Sequence, residues 1–300
     1  MITIISNPLA NEKVCVFVRA YNASKYIDEC LDSLINQDFS SEVYIKILYD
    51  KGSSDDTLDH LERYIKCHNS QKNRNIEVIK HEHCSPFRAL LNGMIMFCDK
   101  YDYFSILDYD NLYNNQYISK AIDALKLTKS DFLYSNPIVI MGNLNNIRGK
   151  LFETALFNIK SKRKLKYIIL GGNFIDASTI FMTKEGCNAI KSKLLYLSSP
   201  TFDWIFEDWA IGALALYYLS FTRLEGTFVY YRIHESNITA GKSNFEKDIF
   251  NFNRDILTIS SFQILLKDKM NNTQKLYYLI SFFKVILRQF LYNYKIKIKK

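Results

Sequence analysis

The sequence predicts an α/β fold: a doubly wound, mainly parallel sheet with a helical C-terminal extension. Three observations carry this. Over the first 110 residues, short apolar runs alternate with apolar patterns at helical spacing, as βαβ units require. The stretches directly after three of those runs are polar, RAYN (19–22), DKGSS (50–54) and DYDN (108–111), and such sheets bind ligands beyond the carboxyl ends of their strands. After Gly241 the pattern is helical to the end.

VCVFV (14–18) reads as a buried strand. SKYIDECLDSLINQ (24–37) follows, with Tyr26, Ile27, Cys30, Leu31, Leu34 and Ile35 on one helical face behind Ser24 as N-cap. YIKILY (44–49) is the second strand. Gly52 permits a tight turn after it, Ser53, Ser54 or Asp55 caps the next helix, and Leu58, Leu61, Tyr64 and Ile65 line that helix. IEVIK (76–80) is the third strand, residues 87–98 the third helix, and YFSIL (103–107) the fourth strand. The second half is less regular. DFLYSNPIVIM (131–141), ASTIFM (177–182) and GTFVYYRI (226–233) read as strands, KEGCNAIKSKLL (184–195) as a helix, and FEDWAIGALALYYL (206–219) as a mostly buried helix. The expected division is a domain over 1–241 and a basic, aromatic helical extension over 242–300.

Composition narrows the class. The chain has 300 residues, 48% hydrophobic, with only ten Gly and four Pro, enough for a sizeable core and unlike a linker or low-complexity protein. Its six cysteines, Cys15, Cys30, Cys67, Cys84, Cys98 and Cys187, form no CxxC pair. That excludes a Cys-rich structural zinc site and a dense disulfide framework, and leaves reduced core thiols in a cytoplasmic protein. MITIISNPLANEK lacks the basic and sustained apolar regions of a signal peptide. No uncharged apolar run approaches the ~20 residues of a membrane span. The formal charge is +8, and residues 275–300 hold seven Lys/Arg, seven Tyr/Phe and no Asp or Glu, so the basicity belongs to the tail.

Asp108 and Asp110 are two apart in an extended segment, so their side chains share a side. Two such carboxylates repel unless a cation neutralises them, and Mn²⁺ or Mg²⁺ with oxygen ligands fits. A solvated turn accounts for the same residues. Tyr21 offers an aromatic plane to a nucleobase. Glu207 and Asp208 open a helix, where negative charge is favourable whether or not it also works chemically. Trp209 suits either an acceptor pocket or the core. His234 and Arg232 suit either a phosphate or a polar surface. The HEH of His81 and His83 lacks a third ligand and reads as a solvated loop, and GGNF (171–174) as an ordinary one.

Taken in order, VCVFVRAYNASKYIDECLDSLINQ, ILYDKGSSDDT, FSILDYDN, FEDW and YYRIHESNIT resemble the family-2 (GT-A fold) inverting glycosyltransferases of bacterial surface-glycan synthesis, over roughly residues 12–241. The resemblance implies a metal-dependent transferase that moves a sugar from a nucleotide-diphosphate donor, a UDP-sugar first, to a hydroxyl of a glycan or glycolipid acceptor such as lipooligosaccharide or capsule. It implies donor binding by Ala20, Tyr21, Asp50, Lys51, Arg88, Asp108 and Asp110. Lys51 departs from the family's second Asp, and an ammonium cannot accept a base N–H. Arg19 replaces a commonly small residue or proline and would approach the nucleotide. The resemblance further implies metal binding by Asp110, Asp108 and His234, an acceptor side formed by Glu207 and Trp209, and Asp208 as general base.

The tail suits an anionic membrane surface, which would make the protein peripheral on the inner face of the cytoplasmic membrane. It equally suits a helix packed on the domain. Two rival functions are a nucleotidyltransferase of α/β fold and a non-enzymatic basic nucleic-acid binder. The first needs a phosphate loop that RAYNASK does not supply. The second conflicts with an acidic site, so no nucleic-acid partner is expected.

Overall fold

A computed structural model describes residues 12–68, 73–226, 228–237 and 245–299, without the side chains of 245–247, 249 and 288–299. The signal-peptide reading rests mainly on residues 1–11 and the domain boundary on Gly241, and both lie outside the described residues.

The elements follow in order β1 (Lys13–Ala20), α1 (Ile27–Ile35), β2 (Glu42–Asp50), α2 (Thr57–His68), β3 (Arg74–His81), α3 (Pro86–Phe97), β4 (Tyr103–Asp108), β5 (Leu112–Tyr113), α4 (Tyr117–Thr128), β6 (Phe132–Ser135), β7 (Ile138–Met141) and β8 (Ile147–Lys150). Then come α5 (Thr154–Phe157), α6 (Lys162–Ile169), β9 (Phe181–Thr183), α7 (Lys184–Leu194), α8 (Glu207–Tyr218), β10 (Phe221–Leu224), β11 (Val229–Ile233), α9 (Phe245–Leu265) and α10 (Asn272–Lys299). Seven strands form the main sheet in the order β10-β6-β9-β4-β1-β2-β3, and four form a small one in the order β5-β11-β7-β8. In the main sheet only β9 runs antiparallel to its neighbours.

Strand β1 shows why the sheet is covered on both sides. Val14, Val16 and Val18 enter one core with Ile27, Leu31 and Leu34 of α1, while Cys15 and Phe17 enter the other with Leu90 and Met94 of α3. Successive strand residues point to opposite faces, so an unbroken apolar run needs helices on both. Helix α3 approaches so closely that a Cβ at Gly93 would lie 2.4 Å from the Phe17 ring. Ser85 caps α3 by accepting the Arg88 N–H, with Pro86 in its first turn.

Several local expectations change. Ser24 does not cap α1, which starts at Ile27 without a side-chain cap; its backbone N–H donates to Asp55 at 3.0 Å. The run 131–141 is two strands in two sheets, β6 and β7, because Pro137 has no N–H to continue a ladder. ASTIFM begins as a 3₁₀ turn over Ala177–Thr179 and only then becomes β9. Cys98 and Cys187, both buried, are joined as a disulfide where reduced thiols were expected, because the end of α3 packs beside α7. Helices α9 and α10 place Ile259, Phe262, Leu265 and Tyr278 in the same core as Trp209 and Leu214 of α8.

Candidate functional site

Strand register assembles the site. Arg19 pairs with Asp108 across β1 and β4, Ala20 with Tyr49 across β1 and β2, and Asp50 with His81 across β2 and β3. The carboxyl ends of four neighbouring strands therefore open into one cavity of about 430 Å³. Ala20, Tyr21, Asp50, Asp108, Asp110, Glu207 and Asp208 line it. Lys51, Arg88, Trp209 and His234 are not among its lining residues.

At one end Tyr21 is 44% exposed, and its ring centre lies 5.1 Å from that of His83. Nδ1 of His83 meets the Asp50 carboxylate at 3.0 Å, and Asp50 also accepts the Gly52 N–H at 2.7 Å. The turn after Tyr21 is held by Asn22 at φ 48°, whose Oδ1 accepts the Ser54 N–H at 2.8 Å and whose N–H donates to Ser53 Oγ at 3.2 Å. Ser53 and Ser54 thus fasten the aromatic turn instead of capping α2. Asp55 does accept the Thr57 N–H that opens α2. His83 lies in an exposed loop as expected, whereas His81 ends β3, and both line the cavity because β3 ends beside Asp50. Lys51 turns away to donate to Glu82 at 2.5 Å, and its charge is spent there.

Deeper in, the two aspartates have different partners. Asp108 is held by the Arg19 guanidinium through two N–H donors. Burial nonetheless raises its pKa above the usual carboxylate range, with Arg19 opposing the rise. Oδ2 of Asp110 faces Nε2 of His234 at 2.9 Å and accepts from Asn237 at 3.1 Å. His234 thus approaches Asp110 although it does not line the cavity. Among the described residues no group of three His, Cys, Asp or Glu converges as a metal site. The expected set of Asp108, Asp110 and His234 is therefore not assembled, since Arg19 takes Asp108. Arg232 is fully buried; it donates to the Asp110 carbonyl at 2.8 Å and to Glu29 at 2.7 Å, so it braces the strand and is not a phosphate ligand.

The third part is the start of α8. Glu207 accepts from Arg19 at 2.5 Å and from Arg254 of α9 at 3.3 Å. Burial alone would raise its pKa, but Arg19 and Arg254 bring it below the usual value. A carboxylate held on both oxygens is a brace more than an acceptor ligand. Asp208 behaves oppositely: burial and the neighbouring Glu207 charge push it up to about 7. A carboxyl tuned to that value can take up and release a proton near neutrality. Burial and the charges of Asp108 and Asp208 also push Asp176, another lining residue, well up. Trp209 lies in the core with its indole N–H on the Ile169 carbonyl. Arg88 pairs with Asp203 and the Ser198 carbonyl.

Arg254, Trp204, Phe206 and Asp176 line the cavity and escaped the sequence reading. Arg254 holds the Trp204 and Ile205 carbonyls at 3.0 and 3.1 Å, and Phe206 N–H donates to Thr258 at 2.7 Å. No motif marks Arg254 in the sequence, where it stands in NFNRDIL (251–257) beside Asp255.

Residues 15–188 match the family model described as glycosyl transferase family 2. A protein of Haemophilus influenzae described as an uncharacterized glycosyltransferase is 30% identical over 274 residues, 84% of this chain and 79% of that protein. The poly(ribitol-phosphate) beta-glucosyltransferase of Bacillus spizizenii is 28% identical over 145 residues, which is 48% of this chain but 21% of that protein. Among solved structures, S. aureus TarS 1–349 in complex with UDP-GlcNAc aligns at TM-score 0.53 and 15% identity over 91% of this chain and 80% of that one. The mannosyltransferase PcManGT of Pyrobaculum calidifontis, in complex with GDP-Man and Mn²⁺, aligns at TM-score 0.56 and 14% identity over 89% of this chain and 68% of that one. These two likenesses concern the fold, which is of GT-A type.

Proposed function

The chain belongs to glycosyl transferase family 2, and from that premise we propose that it is a metal-dependent, inverting transferase. It moves a sugar from a nucleotide-diphosphate donor, a UDP-sugar first, to a hydroxyl of a surface glycan such as lipooligosaccharide or capsule. The observation that carries this reading is Asp208. It is a half-buried carboxyl at the start of α8, raised to about 7 by desolvation and the Glu207 charge, in the same cavity as the Tyr21–Asp50 end and the Asp108–Asp110 end.

In this reading the base stacks on Tyr21 beside His83, and Asp50 accepts a base N–H. Uracil and guanine both present such an N–H, so the Asp50 end admits either. The UDP-GlcNAc of TarS and the GDP-Man of PcManGT support a nucleotide-sugar donor. Ionised Asp208 takes the proton of the acceptor hydroxyl as its oxygen attacks the anomeric carbon from the face opposite the diphosphate. Glu207 stays charged between Arg19 and Arg254; it holds the start of α8 in place and keeps Asp208 basic.

The residues also fit a hard divalent cation. Asp110 and His234 present an oxygen and an imidazole nitrogen to each other at 2.9 Å, which suits Mn²⁺ or Mg²⁺ completed by diphosphate oxygens and water. When bound, the cation stabilises charge on the departing diphosphate. The Mn²⁺ of PcManGT supports this choice. No described helix is long and apolar enough to cross a membrane.

A thermal-shift screen of nucleotide sugars with and without Mn²⁺ tests the reading. A UDP-sugar should raise the melting temperature only with the metal. Shifts that ignore both the sugar nucleotide and the metal would overturn it.

A further inference from the structure

Helix α10 has two apolar faces. Tyr278 is buried, and Phe282 and Val285 pack against the main core. On the other side Leu276, Leu279, Ile280, Phe283, Ile286 and Leu287 recur at steps of three and four and are 39–65% exposed. A helix that packs on a domain usually turns its second face polar. A continuous exposed apolar stripe marks a contact surface.

Charge identifies the partner. Residues 275–300 contain seven Lys/Arg and no acid, and the fold adds cations from a distant part of the chain. Helix α6 carries exposed Lys162, Arg163 and Lys164, and its Tyr167 meets Tyr277 of α10 edge-on at 5.7 Å. Just beyond α6, a Cβ on Gly171 would lie 3.0 Å from Ser281 Oγ of α10. Burial and the nearby Lys269 and Lys162 charges lower the pKa of Lys166, so positive charge is crowded here. Asp268 is the single acid in the turn 266–271.

We propose that the outer stripe of α10, flanked by the cations of α6, docks the protein on an anionic lipid bilayer. The helix lies along the headgroup boundary with Leu279 and Phe283 inserted, and Arg163 and Lys164 over lipid phosphates. A second copy of the chain is a poor occupant, because it would bring the same cations face to face. The proposal uses no cavity residue and stands apart from the transferase reading.

The test is co-sedimentation of the full chain with phosphatidylcholine vesicles, with and without about one third phosphatidylglycerol. The protein should pellet with the anionic vesicles only, and less so at high salt. Leu279→Glu/Phe283→Glu and, separately, Arg163→Glu/Lys164→Glu should each cut the bound fraction roughly tenfold or more. Leu127→Glu, at an 86% exposed apolar position on α4, should not. Unchanged melting temperatures and circular dichroism establish that the variants are folded. Three results would overturn the proposal: equal pelleting with phosphatidylcholine alone, equal pelleting of variants and parent, or failure to pellet with a dimer that Leu279→Glu/Phe283→Glu dissociates.

Discussion

Arg254 of α9 donates to Glu207 at 3.3 Å, and Glu207 stands one residue before Asp208. A cation from a helix far along the chain thus fixes the carboxylate beside Asp208, the proposed base. Arg254→Met should cost about 2 kcal/mol of stability in urea unfolding, the scale of a lost charged hydrogen bond. Arg254 also lowers the pKa of Asp208, so the variant's pH–rate inflection should move upward. An inflection that stays in place would separate Arg254 from the base.

Asp208 must be ionised to accept a proton. Because burial and Glu207 raise it to about 7, kcat should fall as pH drops through that value. Asp208→Asn should lower kcat by about 10³-fold and spare nucleotide binding; retained turnover removes Asp208 as the base. Stability carries the opposite sign. Between the ordinary carboxylate range and about 7, native Asp208 keeps a proton that the unfolded chain has lost, so the parent loses stability as pH rises through that window. The Asn variant should therefore show a melting advantage at about pH 8 that fades on acidification.

The two aspartates after β4 should separate experimentally. Asp110→Ala should abolish metal-dependent UDP binding in calorimetric titration, since it faces His234. Asp108→Asn should mainly lower the melting temperature, because it leaves half-buried Arg19 with Glu207 as its remaining carboxylate. Unchanged titration of Asp110→Ala would take the metal role from Asp110.

At the opposite end, Tyr21→Ala should weaken nucleotide binding by about tenfold, the scale of a lost base-stacking contact. His83→Ala should also weaken it, by freeing Asp50. Lys51→Ala should stay within about twofold, the effect of an exposed ion pair, because Lys51 pairs with Glu82 outside the cavity. A large loss from Lys51→Ala alone would place the ammonium at the ligand after all.

The ends of β1, β2 and β4 were legible because apolar runs stop at polar stretches, and a parallel sheet aligns such stops. Side-chain direction was not. Trp209 is one step past Asp208 on a helix, about 100° around its axis, and so it faces the core. The long side chains of Lys51 and Arg88 find Glu82 and Asp203 elsewhere. His83 was hidden because its partner Asp50 lies 33 residues earlier, on a neighbouring strand. Arg254 was hidden because it falls in a stretch with no motif, read as an extension, and only the packing of α9 on α8 brings it to Glu207.

The Arg254–Glu207 pair has a consequence for biogenesis. Domains generally fold as units, and α9 shares its core with α8. A nascent chain that still lacks α9 therefore lacks both one wall of that core and the second cation of Glu207. Completion of the fold and completion of the pocket coincide.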